Sequence, residues 1–252
     1  MLEALLRARY GSSGGAAAEG IGEAGKEAIA RLLDRRACRA FAGRPVPEAL
    51  VRLIAAAGLA APTKSDLQQA DVIWCRDRAV RAAVQEGAGE WVGQAPVLLV
   101  VCADGARFAG LFEGRDFPND HFDAAFNAIV DAAIVLEGMV AASALAGLGT
   151  CPVSVIRNRA RAVADALALP DRVIPVAGLA LGWQVEPRAA ISPRLALEAT
   201  FHVDRYDRTA QAAGVADLDR RRIAVAPYAS QRAPERFGTA ETYGWSEDKR
   251  RQ

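Results

Sequence analysis

The stretch HFDAAFNAIVDAAIVLEGMVAASALAGLGT, residues 121–150, decides how the rest of the chain is read. From His121 to Ala146 it reads as one long helix, apolar on most sides, with Asp120 placed to cap its start and Gly147 to close it. Its most apolar part, Phe126–Leu148, is interrupted by Asp131 and Glu137. Both are costly in a bilayer, so the expectation is a buried helix of a soluble domain. Asp120, Asp123, Asn127 and Asp131 recur at i, i+3, i+7 and i+11, which makes one polar stripe. That stripe is either solvated or a seam facing a partner subunit or a ligand.

Bulk properties agree with a soluble, globular chain. Of 252 residues, 52% are apolar, enough for a sizeable core, and the formal charge is only +1. That balance argues against a general nucleic-acid binder, which needs a basic surplus, and against a polybasic membrane tether. Met1–Tyr10 carries Leu5-Leu6 and two arginines but no long apolar run, so it is not read as a signal peptide. Cys38, Cys75, Cys102 and Cys151 are far apart with no CxxC, and only His121 and His202 accompany them. Free thiols in a reducing cytoplasm are expected, and no metal site.

Outward from the long helix, the pattern gives an α+β layout with helices covering a sheet. A short N-terminal helix is followed by a Gly-, Ser- and Ala-rich joiner, Gly11–Gly22, and a helix over about Glu23–Asp34. Pro47 and Glu48 suit the first turn of the next helix, whose apolar face carries Leu50, Leu53, Ile54 and Leu59 before Pro62 ends it. Val72–Cys75 reads as a strand, and Pro96–Ala103 as one buried on both faces. Arg157–Leu167 is a short helix and Val173–Gly182 another apolar strand. Beyond Arg205 the chain is charged and Arg-rich, with little periodicity. Three parts are therefore expected: 1–22, 23–205 and 206–252.

Four clusters could carry chemistry. Arg35, Arg36 and Arg39 before Phe41 form either a solvated basic turn or a phosphate clamp, for which the guanidinium fork is suited. Pro62-Thr63-Lys64-Ser65-Asp66-Leu67-Gln68-Gln69 is either an ordinary polar loop or a set of mixed donors and acceptors that could meet a heterocycle edge. Leu148-Gly149-Thr150-Cys151-Pro152-Val153-Ser154-Val155-Ile156-Arg157-Asn158, taken alone, is a connection between two helices. Ser192-Pro193-Arg194-Leu195, taken alone, is a surface turn. There is no GxGxxG, P-loop or GxSxG, and neither histidine sits in an evident triad. Chemistry is therefore expected from a bound cofactor.

In this order and spacing, the four clusters resemble the FMN-dependent nitroreductase family, in particular its oxygen-insensitive nitroreductase and NADPH–flavin oxidoreductase branch. Gln94-Ala95-Pro96 before the apolar strand, Asp131-Ala132-Ala133 in the long helix and Leu181-Gly182-Trp183 belong to the same resemblance, which runs from about Ala28 to the C-terminus. It implies an α/β sandwich with a mostly antiparallel central sheet, in an intertwined homodimer whose central interface helix is Phe122–Leu145. It implies FMN, reduced by NADPH or NADH in a ping-pong reaction through flavin N5, with a small electron-poor acceptor as second substrate and no catalytic side chain or metal.

Residue by residue, the resemblance assigns FMN phosphate and ribityl contacts to Arg36 and Arg39. Arg35 stands where the family usually has His, and Ala37 where it has Ser. Thr63, Lys64, Ser65, Asp66 and Gln68 would line the isoalloxazine, with Asp66 in place of Asn accepting a hydrogen bond from N3–H. Val153, Ser154 and Val155 would lie over the flavin face; Ser154-Val155 replaces a frequent Gly-Gly and would narrow the acceptor pocket. Arg194 would bind phosphate, with Ser192 where a lysine is usual. Lys64, one of three lysines (Lys26, Lys64, Lys249), either points into solvent or places a cation near N1 or O2. Arg232 and Arg236, before Tyr243-Gly244-Trp245-Ser246-Glu247-Asp248, either meet the NADPH 2′-phosphate or belong to a solvated loop. Relatives often continue past the position of Gln252. Reductive dehalogenation, flavin degradation, a non-catalytic FMN-binding protein and a phosphate-binding helical regulator remain the alternatives.

Overall fold

Alternation along a single strand organises the core of residues 37–188. In β2 (Val97–Asp104), Val97, Leu99, Val101 and Ala103 enter one buried cluster, while Leu98, Val100 and Cys102 enter a second on the opposite face. This is the strand buried on both faces that the continuous apolar run implied. β2 pairs antiparallel with β1 (Ala70–Trp74) on one side and β4 (Val173–Trp183) on the other, and β3 (Leu148–Val153) pairs antiparallel with β4. The sheet order is β1-β2-β4-β3. Pro152 is tolerated in β3 because that strand lies at the sheet edge.

The computed structural model describes residues 1–107 and 122–252. Among these, the first cluster is closed by α3 (Glu48–Leu59) and α6 (Phe122–Leu145). The second is closed by α4 (Arg78–Gln85), α5 (Glu90–Gln94) and α7 (Ala160–Ala166), through Val84, Val92 and Val163. The capping role expected of Asp120, and His121 itself, lie outside the described residues.

α6 is long and apolar enough to cross a membrane by length and composition alone. It packs instead as a core helix, with Asp131, Ala132, Val135, Met139 and Val140 buried. Gly58 of α3 and Gly138 of α6 face each other. A Cβ on Gly58 would lie 2.4 Å from Met139 Cγ and 2.8 Å from the Val135 carbonyl, and one on Gly138 would lie 3.0 Å from Gly58 Cα. The two helices touch through their backbones there, and Gly147, with φ +79°, turns the chain from α6 into β3.

Three expectations need correction. The stretch Leu148–Val153 is a strand rather than part of a helix-to-helix connection: Thr150 and Cys151 find their partners, Leu181 and Ala180, some thirty residues later. On α3 the buried face carries Val51, Ile54 and Gly58, while Leu53 is 63% and Leu59 46% exposed, because contact with α6 is centred on Gly58. The polar stripe of α6 is not a uniform face either. Asn127 donates to Asp123 near the surface (3.0 Å), whereas Asp131 is 1% exposed.

The second compact unit joins residues 1–36 to 189–252. α1 (Leu2–Tyr10) packs on α2 (Glu23–Asp34). The C-terminal part, in which little periodicity was visible, folds into α8 (Gln211–Val225), α9 (Pro234–Phe237) and α10 (Trp245–Arg250). Here charged residues replace apolar ones as the packing material. Ser246 N donates to Asp219 of α8 at 2.9 Å, and Arg251, 5% exposed, donates to the carbonyls of Arg232 (3.2 Å) and Gly238 (2.8 Å).

Candidate functional site

Two groups of the expected site residues fall in different compact units. Arg35, Arg36 and Arg194 belong to the unit of residues 1–36 and 189–252. Arg39 and the segments 63–68 and 153–155 belong to the unit of residues 37–188.

In the first unit the organising residue is Arg9, at the end of α1. It is 6% exposed. Its guanidinium donates to the carbonyls of Leu33 (2.8 Å), Ser192 (3.0 Å) and Arg35. The Arg194 N–H donates to the Arg9 carbonyl at 2.6 Å, and Arg221 donates to the carbonyls of Arg9 (3.2 Å) and Arg194 (2.8 Å). Arg9 thus ties the end of α2 to the 192–194 loop and brings Arg35, Arg36 and Arg194 to one place. Burial, then the charges of Arg194, Arg35 and Arg36, hold the Arg9 guanidinium below its ordinary pKa.

Within that cluster Arg36 pairs with the Asp34 carboxylate at 3.1 Å, yet its Nε is buried with no hydrogen-bond partner. A buried N–H donor without an acceptor, amid concentrated positive charge, fits an anion as its missing partner. Arg194 also lines a cavity of about 340 Å³ with Tyr10, Leu218, Arg222 and Trp245. Sequence reasoning did not identify Arg9. Its local context is an ordinary amphipathic helix, and only the fold delivers the three carbonyls it holds.

In the second unit, the segment between α3 and β1 has an unusual backbone. Ser65, Asp66 and Gln68 take φ values of 51°, 57° and 51°, left-handed conformations uncommon for residues with a Cβ. Thr63 Oγ1 accepts from the Gln68 N–H (3.1 Å), Lys64 Nζ donates to Ser65 Oγ (2.7 Å) and Gln68 Nε2 donates to Asp66 Oδ1 (3.2 Å). Lys64, Ser65, Asp66 and Gln68 are all exposed, so their polar groups are displayed rather than buried. Arg39 is also exposed, with its guanidinium 5.7 Å from the Trp91 ring centroid.

Val153, at the end of β3, directs its side chain into the second core cluster, so only its backbone is available to a ligand. Ser154, exposed, and Val155, half-buried, follow in a short 3₁₀ helix, Ser154–Arg159. Of the tail arginines, Arg232 lies 3.4 Å from buried Asp248 and so has a partner within the chain. Arg236 lies over the Phe237 ring at 4.9 Å. All four cysteines are buried. Burial raises the Cys75 thiol to about 11 and the Cys102 thiol to about 12. No cluster that could hold a metal occurs among the described residues.

Residues 32–183 match the model of the nitroreductase family. The chain belongs to the nitroreductase family. Among relatives of this chain, the FMN reductase [NAD(P)H] of Bacillus subtilis (strain 168) is 34% identical over 186 residues, covering 71% of this chain and 74% of that protein. The oxygen-insensitive NADPH nitroreductase of Salmonella typhimurium (strain LT2) is 32% identical over 180 residues, with coverages of 71% and 74%. Among solved structures, NfrA2 of B. megaterium superposes with a TM-score of 0.75 at 28% identity, covering 88% of each chain. The NADPH:FMN oxidoreductase of Vibrio harveyi, complexed with NAD+, superposes with a TM-score of 0.74 at 25% identity, covering 85% of this chain and 93% of that chain.

Proposed function

We propose that the protein is an FMN-dependent NAD(P)H oxidoreductase of the nitroreductase, flavin reductase or quinone reductase type, acting on a small electron-poor acceptor. One observation carries the reading: Arg9, Arg35, Arg36 and Arg194 concentrate positive charge around the orphaned Arg36 Nε. The relatives whose names include FMN and NADPH supply the class of cofactor and donor.

FMN, when bound, would supply two-electron chemistry between NADPH or NADH and the acceptor. The chain's own residues bind, orient and screen. Arg35, Arg36 and Arg194 would hold the phosphate, and Arg39 would add a contact along the ribityl chain. Thr63, Lys64, Ser65, Asp66 and Gln68 would meet the isoalloxazine. Ionised Asp66 can only accept, which suits an N–H at the pyrimidine edge. Val153 presents backbone, and Ser154 and Val155 limit the width of the acceptor site. Arg236 is the better placed of the two tail arginines for a nicotinamide phosphate, since Arg232 already has Asp248.

The working form is a homodimer. Phe122, Phe126, Ile129, Val130 and Ile134 leave an apolar face on α6 that a second copy would cover. The proposed location is the cytoplasm, in keeping with buried cysteines and small-molecule substrates, with neither nucleic acid nor membrane as partner.

The test is an anaerobic visible spectrum before and after NADPH. The expected result is a yellow protein that bleaches and recovers its colour with a quinone or a nitroaromatic. A yellow protein that neither NADPH nor NADH bleaches would refute the activity. A colourless protein that refuses FMN would refute the site as well.

A further inference from the structure

We propose that Asp131, buried in α6, is a positioning residue that fixes the shape of the segment facing the flavin without touching the flavin itself. The proposal rests on the reading of residues 63–68 as isoalloxazine contacts.

Both carboxylate oxygens of Asp131 are engaged. Oδ1 accepts from the Lys64 N–H at 3.1 Å, and Oδ2 accepts from the Gln69 N–H at 3.2 Å. These two amides stand at either end of the run that contains the left-handed Ser65, Asp66 and Gln68. Within the run, the Leu67 N–H closes a turn on the Lys64 carbonyl (2.9 Å) and Thr63 Oγ1 receives the Gln68 N–H (3.1 Å). The segment's own bonds therefore shape its middle, while Asp131 sets its two ends. A run of left-handed, non-glycine residues persists only where its surroundings over-determine it. A carboxylate accepting two backbone N–H groups in a buried setting is a strong and directional means of doing so.

The carboxylate is itself held in place. Asp131 is 1% exposed and sits one turn from Val135, where α6 meets α3 at Gly58. α3 leads directly into the segment, so one end is set by the α3–α6 contact and the whole run is then anchored back on α6. Lys64, Ser65, Asp66 and Gln68 display their polar groups outward from this anchored backbone. A change in Asp131 should therefore alter their aim, and with it the balance of affinities for oxidised and reduced FMN, while every side chain assigned to the ligand is still present.

The experiment compares full-length Asp131→Asn with Val140→Ala and Gln68→Ala. Asparagine keeps the shape of Asp131 but turns an NH₂ group toward one of the two amides. Val140→Ala opens the same helix's core without touching the segment. Gln68→Ala removes a side chain assigned to the flavin. FMN Kd, melting temperature and the midpoint potential of the fully FMN-loaded protein are measured for each.

The expected result for Asp131→Asn is at least tenfold weaker FMN binding. Its potential should also shift by the equivalent of about a tenfold change in relative affinity, roughly 30 mV for a two-electron couple. Val140→Ala should melt earlier with an unchanged potential. An Asp131→Asn protein with wild-type Kd and potential, beside an altered Gln68→Ala, would overturn the positioning role alone. Wild-type values in both would overturn the reading of the segment, and the proposal with it. Amide hydrogen exchange on the wild-type protein gives a check that needs no variant to fold. The Lys64 amide should be protected although its side chain is exposed, and exchange at the unprotected rate would refute the bond to Asp131.

Discussion

At the scale of single residues, the arginine cluster is organised by one buried side chain. Arg9 donates to three backbone carbonyls, those of Leu33, Ser192 and Arg35. Arg9→Met would remove these bonds, at about 1–3 kcal/mol for each carbonyl left unpaired, less whatever water recovers. A fall in melting temperature of roughly 4–10 °C is expected. FMN affinity should drop along with it, because the Arg194 loop and the end of α2 lose their tie; titration calorimetry of the apoprotein reads this directly. Lys64 gives the complementary case of an exposed cation whose ammonium already rests on Ser65. If its charge acts on the flavin, Lys64→Met should lower the midpoint potential with little change in melting temperature; equal potentials would assign the lysine to solvent. Arg36 and Arg39 could be marked as candidates from their local motif. Arg9 could not, because its three acceptors lie 24, 26 and 183 positions away.

At the scale of elements, the contact between α3 and α6 determines where the segment 63–69, proposed to meet the flavin, begins. Gly58→Ala would ordinarily gain helix propensity, on the order of 1 kcal/mol. Here the added methyl meets the Val135 carbonyl at 2.8 Å, a backbone atom that no rotamer change can move. Overpacking of this kind costs about 1–3 kcal/mol, so a net destabilisation by chemical denaturation is expected, with weaker FMN retention because α3 feeds residues 63–69. α10 supplies an electrostatic counterpart. Glu247 accepts hydrogen bonds from Arg250 and Arg251, which hold its pKa at about 2 against an ordinary 4.5. Its folded pKa lies below its unfolded one, so its contribution is complete above about pH 4.5 and is lost as the pH falls toward 2. Acid titration followed by near-UV circular dichroism should show the loss in that window, and Glu247→Gln should flatten it.

At the scale of the whole molecule, α6 has two distinct faces. One is buried against α3 and the sheet, while the other leaves Phe122 at 82%, Phe126 at 52% and Ile134 at 38% exposure. An apolar face of this kind on an otherwise charge-balanced surface calls for cover, and the proposed second copy would supply it symmetrically. Phe126→Asp with Ile134→Asp should convert a dimer into a monomer in sedimentation velocity and reduce FMN retention. A double variant that sediments like wild type would move the interface elsewhere.

The family and the cofactor class were legible in the chain because short motifs keep their residues together in sequence: Arg35 to Phe41, Pro62 to Gln68, Ser192 to Leu195. β2 was legible too, since burial on both faces leaves an unbroken apolar run. What needed the tertiary structure was whatever depends on partners distant in sequence. β3 looks like a connection until β4 arrives to pair with it. α3 buries the face that Gly58 allows rather than the face its leucines suggest. The tail folds through arginine–carboxylate and arginine–carbonyl contacts that carry no apolar period. Asp131 reads as one member of a polar stripe, and only the packing of α6 beside the end of α3 turns its carboxylate onto two backbone amides. Local pattern records which residues avoid water; which groups then meet inside depends on chain segments that no local window contains.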